Sequence, residues 1–117
     1  MSTSAAQRRQ IEDNILTLAR KVDTRDSRWF EGEAFAAFMD AWHTLPRYYE
    51  GHRDTTLDTH VLKLYMRYAV TLRHVIEDEQ AAHRRRQHAK TALHDLNENL
   101  DGVFHQIERN GGMRAAV

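Results

Sequence analysis

Apolar residues recur along this chain at the three- and four-residue spacings of α-helices, and nowhere alternate as a half-buried strand would. Ile11, Ile15, Leu18 and Val22 share one face of a first helix, predicted from about Ala5 to Val22. Ser4 with Gln7 three residues later fits a capping box at its start. "DTRDS" at 23–27 reads as a turn, because Asp and Ser side chains compete for backbone hydrogen bonds. A second helix is predicted from about Arg28 to Thr44. Phe30, Ala34, Phe38, Ala41, Trp42 and Leu45 fall on one of its faces, with Trp29 and Met39 nearer the opposite side. Pro46 ends it, since the residue before a proline avoids the helical region. "PRYYEGHRD" then reads as a loop.

A third helix is predicted to begin near Leu57, where Thr55 and Asp58 give a second capping box. Its stripe is Val61, Leu64, Tyr65, Tyr68, Leu72, Val75 and Ile76. Leu62, Met66, Ala69 and Val70 lie outside that stripe. At ~100° per residue they widen the apolar surface to well over half the circumference. A helix that apolar is covered on more than one side, so it is either central or partly covered by a partner. The last helix is predicted over about Ala89 to Arg109, with Leu93, Leu96, Leu100, Val103, Phe104 and Ile107 as its stripe. Between these two lies "EDEQAAHRRRQH", whose seam of Glu79, Ala82, Arg86 and Ala89 is poor. Either the chain turns there into a helical hairpin, or one helix of ~50 residues runs through. At 1.5 Å per residue that helix would span about 75 Å, and only a dimer would cover it. Residues 1–4 and the tail "NGGMRAAV" are expected to fray. The reading is a single all-α domain over 1–117: a small bundle of three to four helices with a long C-terminal helix or helical hairpin.

Composition sharpens this. A chain of 117 residues, 41% apolar and 29% charged, suits one domain with a modest core. Lys plus Arg and Asp plus Glu are 17 each, so the net charge is near zero. General nucleic-acid binders carry a clear positive excess. With no cysteine, disulfides, thiolate nucleophiles and Cys-based zinc sites are excluded. No 18-residue apolar run occurs and the N-terminal segment is polar, so a cytoplasmic protein without a membrane partner is expected. Arginine outnumbers lysine 14 to 3, in keeping with a GC-rich bacterial or phage genome.

Eight histidines raise the question of metal. His74/Asp78, Glu79/His83, His94/Glu98 and Asp101/His105 each stand four residues apart, on one helix face. The His94–Glu98–Asp101–His105 stripe lies about 140° from the Leu93–Ile107 stripe at 100° per residue. It therefore points away from the bundle, and neither a metal site nor a cofactor is predicted. The chain has no His-x-x-x-His element, which sets it apart from hemerythrin-like bundles. "AWHTLPR" at 41–47 resembles the phosphate-accepting segment of phosphotransfer bundles, with His43 as acceptor. Pro46 and Arg47, however, stand where that motif has lysine and glycine.

Two stretches remain as interaction candidates. In "HRRRQHAK", Arg84, Arg85, Arg86 and Lys90 make a local basic patch, a candidate nucleic-acid contact. "EDE" at 77–79 opposes that role and fits charge pairing in a dimer instead. Trp29, Tyr48 and Tyr49 flank turns and, with Leu62, Met66 and Val70, are candidate partner contacts, because interfaces favour aromatic anchors. No Gly-rich phosphate loop, Ser-His-Asp arrangement or carboxylate dyad is present, so an enzyme is not expected. The leading expectation is a non-enzymatic interaction module (a small adaptor, chaperone or inhibitor) that binds another protein and forms a homodimer through its third and fourth helices. A nucleic-acid-binding regulator using Arg84–Lys90 is the alternative. A metal- or pH-responsive bundle is the third.

Overall fold

The computed structural model describes residues 5–50 and 57–109. Over them the chain forms four α-helices and no strand: α1 (Ala5–Ala19), α2 (Glu33–Thr44), α3 (Thr59–Glu77) and α4 (His83–Arg109). Two short 3-10 turns, Trp29–Glu31 and Leu45–Tyr49, bracket α2. The all-α bundle with a long C-terminal helix is the architecture that the apolar spacing predicts. The Ser4 half of the first capping box and Thr55 of the second lie outside the described residues.

Local side chains explain where elements stop. Asp23 and Asp26 each accept the backbone N–H two residues on, from Arg25 and Arg28, at 3.0 Å. α1 stops at Ala19, three residues earlier than the apolar spacing suggests: its end tightens into i→i−3 bonds, Lys21 N to Leu18 O and Val22 N to Ala19 O, before these Asx turns begin. Gly32 (φ −90°, ψ 168°) then breaks the expected second helix, so Trp29–Glu31 is a separate turn and α2 begins at Glu33. α2 stops at Thr44, but not because the residue before Pro46 leaves the helical region: Leu45 stays in it (φ −56°, ψ −45°), and Leu45–Tyr49 coils on as the second 3-10 turn with Pro46 in its first turn.

The chain between α3 and α4 turns. Asp78 leaves the helical region (φ −76°, ψ 104°), and its carboxylate accepts from Gln80 N at 2.9 Å. Arg86 then reaches back one layer, its Nε donating to the Ile76 carbonyl at 2.9 Å and supplying a cation to the C-terminus of α3. The alternative of one ~50-residue helix, and the motive for a dimer that came with it, fall away. The helical hairpin remains, and α4 takes in His83–His88 as well as the expected Ala89–Arg109.

At the start of α3, Asp58 is the N-cap and accepts from His60 N (2.7 Å) and Val61 N (3.3 Å). Asp58→Ala is expected to cost about 1 kcal/mol, seen as a thermal midpoint lowered by roughly 4 °C. A calorimetric scan checks this.

The helices bury one continuous core. α3 packs along α4, α1 lies across α2 and α3, and the second 3-10 turn wedges between α1 and α4. Ile15, Phe38, Trp42, Leu45, Tyr49, Val61, Tyr68, Leu72, Leu96, Val103 and Ile107 are sealed from solvent. Trp42 sits at the centre. It stacks on Phe38 and Tyr65, its Nε1 donates to Leu96 O at 3.3 Å, and its own carbonyl accepts from the Asn99 amide. Gly102 lets α4 approach the second turn, since a Cβ there would meet Pro46 Cγ at 3.2 Å.

Candidate functional site

The residues expected to contact a partner separate into three groups: buried, half-buried and exposed. Trp29 and Tyr49 are core. Trp29 is 5% exposed, stacked on Tyr68 at 5.1 Å and edge-on to Phe30 and Phe35. Being outside the α2 register, it swings inward where a wheel drawn from Arg28 places it outward. Met39, also expected on the outer side, is buried too, because α2 is covered by α1 on one side and α4 on the other.

Tyr49 is sealed by its polar end as well as its ring. Its hydroxyl donates to Glu12 Oε1 at 2.7 Å, and the Arg8 guanidinium lies 5.5 Å above the ring. Arg8 Nε is 3.6 Å from the same Glu12 oxygen. Buried Glu12 and Tyr49, with half-buried Arg8 over them, tie α1 to the second 3-10 turn. Burial pushes the Glu12 carboxyl above its ordinary value, against the Tyr49 hydrogen bond and the Arg8 charge, which pull it down. No spacing rule marks Glu12 as a core residue, because its partner is 37 positions away.

Tyr48 is half-buried beside Ile11 and Asn14 of α1, and Leu62 is half-buried against the core. Met66 and Val70 are different. They are 54% and 51% exposed, the large hydrophobic residues left uncovered among those described. They stand four apart on the outer side of α3, so they form one ridge. Ala69, also predicted outside the stripe, is buried.

The basic stretch is mostly spent on the fold. Arg85 lies over the Phe30 ring at 5.5 Å, Arg86 caps α3, and His88 Nδ1 meets Glu31 Oε1 at 2.5 Å. Of the stretch, Arg84 and Lys90 are left as outward cations, six residues and so about 120° apart around the helix. A groove-reading helix would need several on one side.

The Glu31–His88 pair joins segments 57 positions apart and has no sequence signal. It stands at the rim of a cleft of about 370 Å³ between α2 and α4, floored by Phe30, Phe35 and Met39, with His43 on its edge. The His88 hydrogen bond, and after it Arg28, hold the Glu31 carboxyl below its ordinary range. A carboxylate–imidazole pair can pass a proton. The hydroxyl in this cleft, Thr91 Oγ1, donates to Gln87 O at 3.2 Å rather than to the pair. The pair reads as a tether between the first 3-10 turn and α4.

His94 and Glu98 meet at 3.2 Å with both side chains about two-thirds exposed, as a polar helix face. Among the described residues no three His, Asp or Glu side chains converge as a metal-binding set, and no helix is long and apolar enough to cross a membrane.

One further feature adjoins the Met66–Val70 ridge. A groove of about 320 Å³ runs between α1 and α3, floored by Leu16, Ala19 and Leu64 and walled by Arg20, His60, Lys63 and Arg67. No carboxylate lines it. The chain matches no family model, no curated protein and no solved structure.

Proposed function

We propose that this chain is a non-enzymatic interaction module that docks another protein on the outer face of α3. The observation that carries this is the uncovered Met66–Val70 ridge on a helix whose remaining apolar residues are buried or half-buried. Exposed apolar side chains grouped on one rigid element, beside arginines, are the makings of a protein contact. The rest of the fold serves as the frame. The core aromatics, the Asp58 cap and the Arg86 bond anchor α3 along its inner side and at both ends, and a pre-organised face limits the entropy lost on binding.

The contact is tested with the double variant Met66→Glu, Val70→Glu. Both positions are more than half exposed, so the unfolding free energy should stay within about 0.5 kcal/mol of the parent. Affinity purification from native cells should lose the stoichiometric protein that the parent chain recovers. Recovery undiminished in a folded double variant contradicts the proposal.

A further inference from the structure

Charge is unevenly shared in this neutral chain. α3 carries Lys63, Arg67 and Arg73 against a single carboxylate, Glu77, at its far end. α2 carries Glu33 and Asp40 with no lysine or arginine. At ~100° per residue, Lys63, Met66, Val70, Arg73 and His74 occupy one outward sector of α3, with Arg67 at its edge. The apolar ridge thus lies inside a rim of cations. Arg20 faces that rim across the α1–α3 groove, where Lys63 and Arg67 form part of the wall.

Among the described residues these cations, like Arg84 and Lys90 on α4, have no carboxylate close by, and what sets them apart is the apolar ridge they surround; three arginines elsewhere are paired. Arg8, Arg25 and Arg28 each have a carboxylate close by, on Glu12, Asp23 and Glu31. Among the described residues, Arg20, Lys63, Arg67 and Arg73 have none within 4.0 Å. Arg67 is steadied instead by the Tyr68 ring, 5.7 Å from its guanidinium carbon. Asp58, the carboxylate at the N-terminal end of α3, is occupied by the helix backbone and by His60, 3.4 Å away.

We propose that the docking partner presents an acidic amphipathic helix. Its apolar side covers Met66 and Val70, and its carboxylates meet Lys63, Arg67 and Arg73 on α3 and Arg20 across the groove. This rests on the docking reading above and adds the chemistry of the partner. A helix fits because the seat is a ridge of side chains four apart on one helix beside a groove between two helices, the geometry of helix-in-groove recognition. An acidic partner fits because opposite charge around an apolar centre raises the association rate and rejects basic competitors. A nucleic-acid backbone fits less well, since phosphates would lie against the two most exposed large apolar side chains.

The test uses the full chain and two synthetic amphipathic helices with the same leucine stripe, one flanked by glutamates and the other by lysines. A mixed-sequence DNA duplex is the third probe. Fluorescence anisotropy should show the glutamate helix binding at least about tenfold more tightly than the lysine helix. That binding should weaken as salt is raised. Lys63→Glu with Arg67→Glu should reverse the preference. Arg73→Glu, which leaves the Arg67–Tyr68 contact intact, should weaken the glutamate helix alone. Circular dichroism confirms that each variant is folded. Equal affinity for both helices, or none for the glutamate helix, overturns the acidic partner. It leaves the docking reading to stand or fall on Met66→Glu, Val70→Glu. A duplex that displaces the glutamate helix and is lost in Lys63→Glu, Arg67→Glu overturns it in favour of nucleic acid. A parent chain that is a dimer, made monomeric by Met66→Glu, Val70→Glu, overturns it in favour of a second copy.

Discussion

Trp42→Ala is expected to remove about 3–5 kcal/mol of stability, the largest effect of any substitution considered. The indole is fully buried and stacks on Phe38 and Tyr65. Its loss leaves a cavity where α2, α3 and α4 meet. It also removes the Nε1 donor to Leu96 O. A domain of this size has about 5–15 kcal/mol in total, so the variant should be close to unfolding at physiological temperature. Trp42→Phe keeps most of the volume and forfeits the hydrogen bond, and should lose clearly less. Urea unfolding followed by circular dichroism gives both numbers. A loss under about 1 kcal/mol for Trp42→Ala would mean that Trp42 is not the centre of the bundle.

Tyr49→Phe should be the next most damaging, at about 1.5–3 kcal/mol near neutral pH, the range for a hydrogen bond to a charged group. It strips Glu12 of its donor while the ring keeps its packing. The pH dependence follows from the raised Glu12 carboxyl. Burial is the leading cause, countered by Tyr49, then added to by Asp58, lowered by Arg8 and raised again by Asp13. A carboxyl whose folded value stands above its unfolded one, near 4.5, binds a proton more readily in the native state. Stability therefore falls as pH rises from that unfolded value through the folded one. Without the Tyr49 donor the folded value rises further, so Tyr49→Phe should lose more stability than the parent over that climb. Glu12→Gln keeps an acceptor for Tyr49 and should lose this component of the slope altogether. Urea midpoints for the three proteins at a series of pH values between 4.5 and neutrality resolve the order. A parallel set of curves would contradict the role given to Glu12.

What the sequence made legible follows from range. The stripes of α3 and α4 could be read because a buried helix face repeats every three or four residues, and Val61 through Leu72 and Leu96 through Ile107 are buried as that repeat requires. The capping-box spacing makes Thr55 the cap and Asp58 its partner three residues on, with the helix starting near Leu57; in the structure Asp58 itself is the cap and α3 starts at Thr59. The turn at 78–82 carries no Gly, Pro or Asn; Asp78 makes it, with the same Asx bond that Asp23 and Asp26 make earlier in the chain. A single wheel through Gly32 places Trp29 outward, but the helix phase breaks at Gly32 and Trp29 is buried. The contacts that decide the basic stretch, Arg85 on Phe30 and His88 on Glu31, join residues more than fifty positions apart. No pattern within a single helix reveals them. The outer face of α3 was half legible. Its excess of apolar residues showed in the sequence, but which of Leu62, Met66, Ala69 and Val70 stay uncovered depends on how α1 and α4 pack.

The most direct measurement is photocrosslinking in native cells, with the photoreactive side chain placed at position 66 or 70 and, as controls, at 84 or 94. A discrete protein adduct from 66 and 70 that is absent from 84 and 94 is the predicted result. Adducts confined to 84, or to nucleic acid, would contradict a docking face on α3.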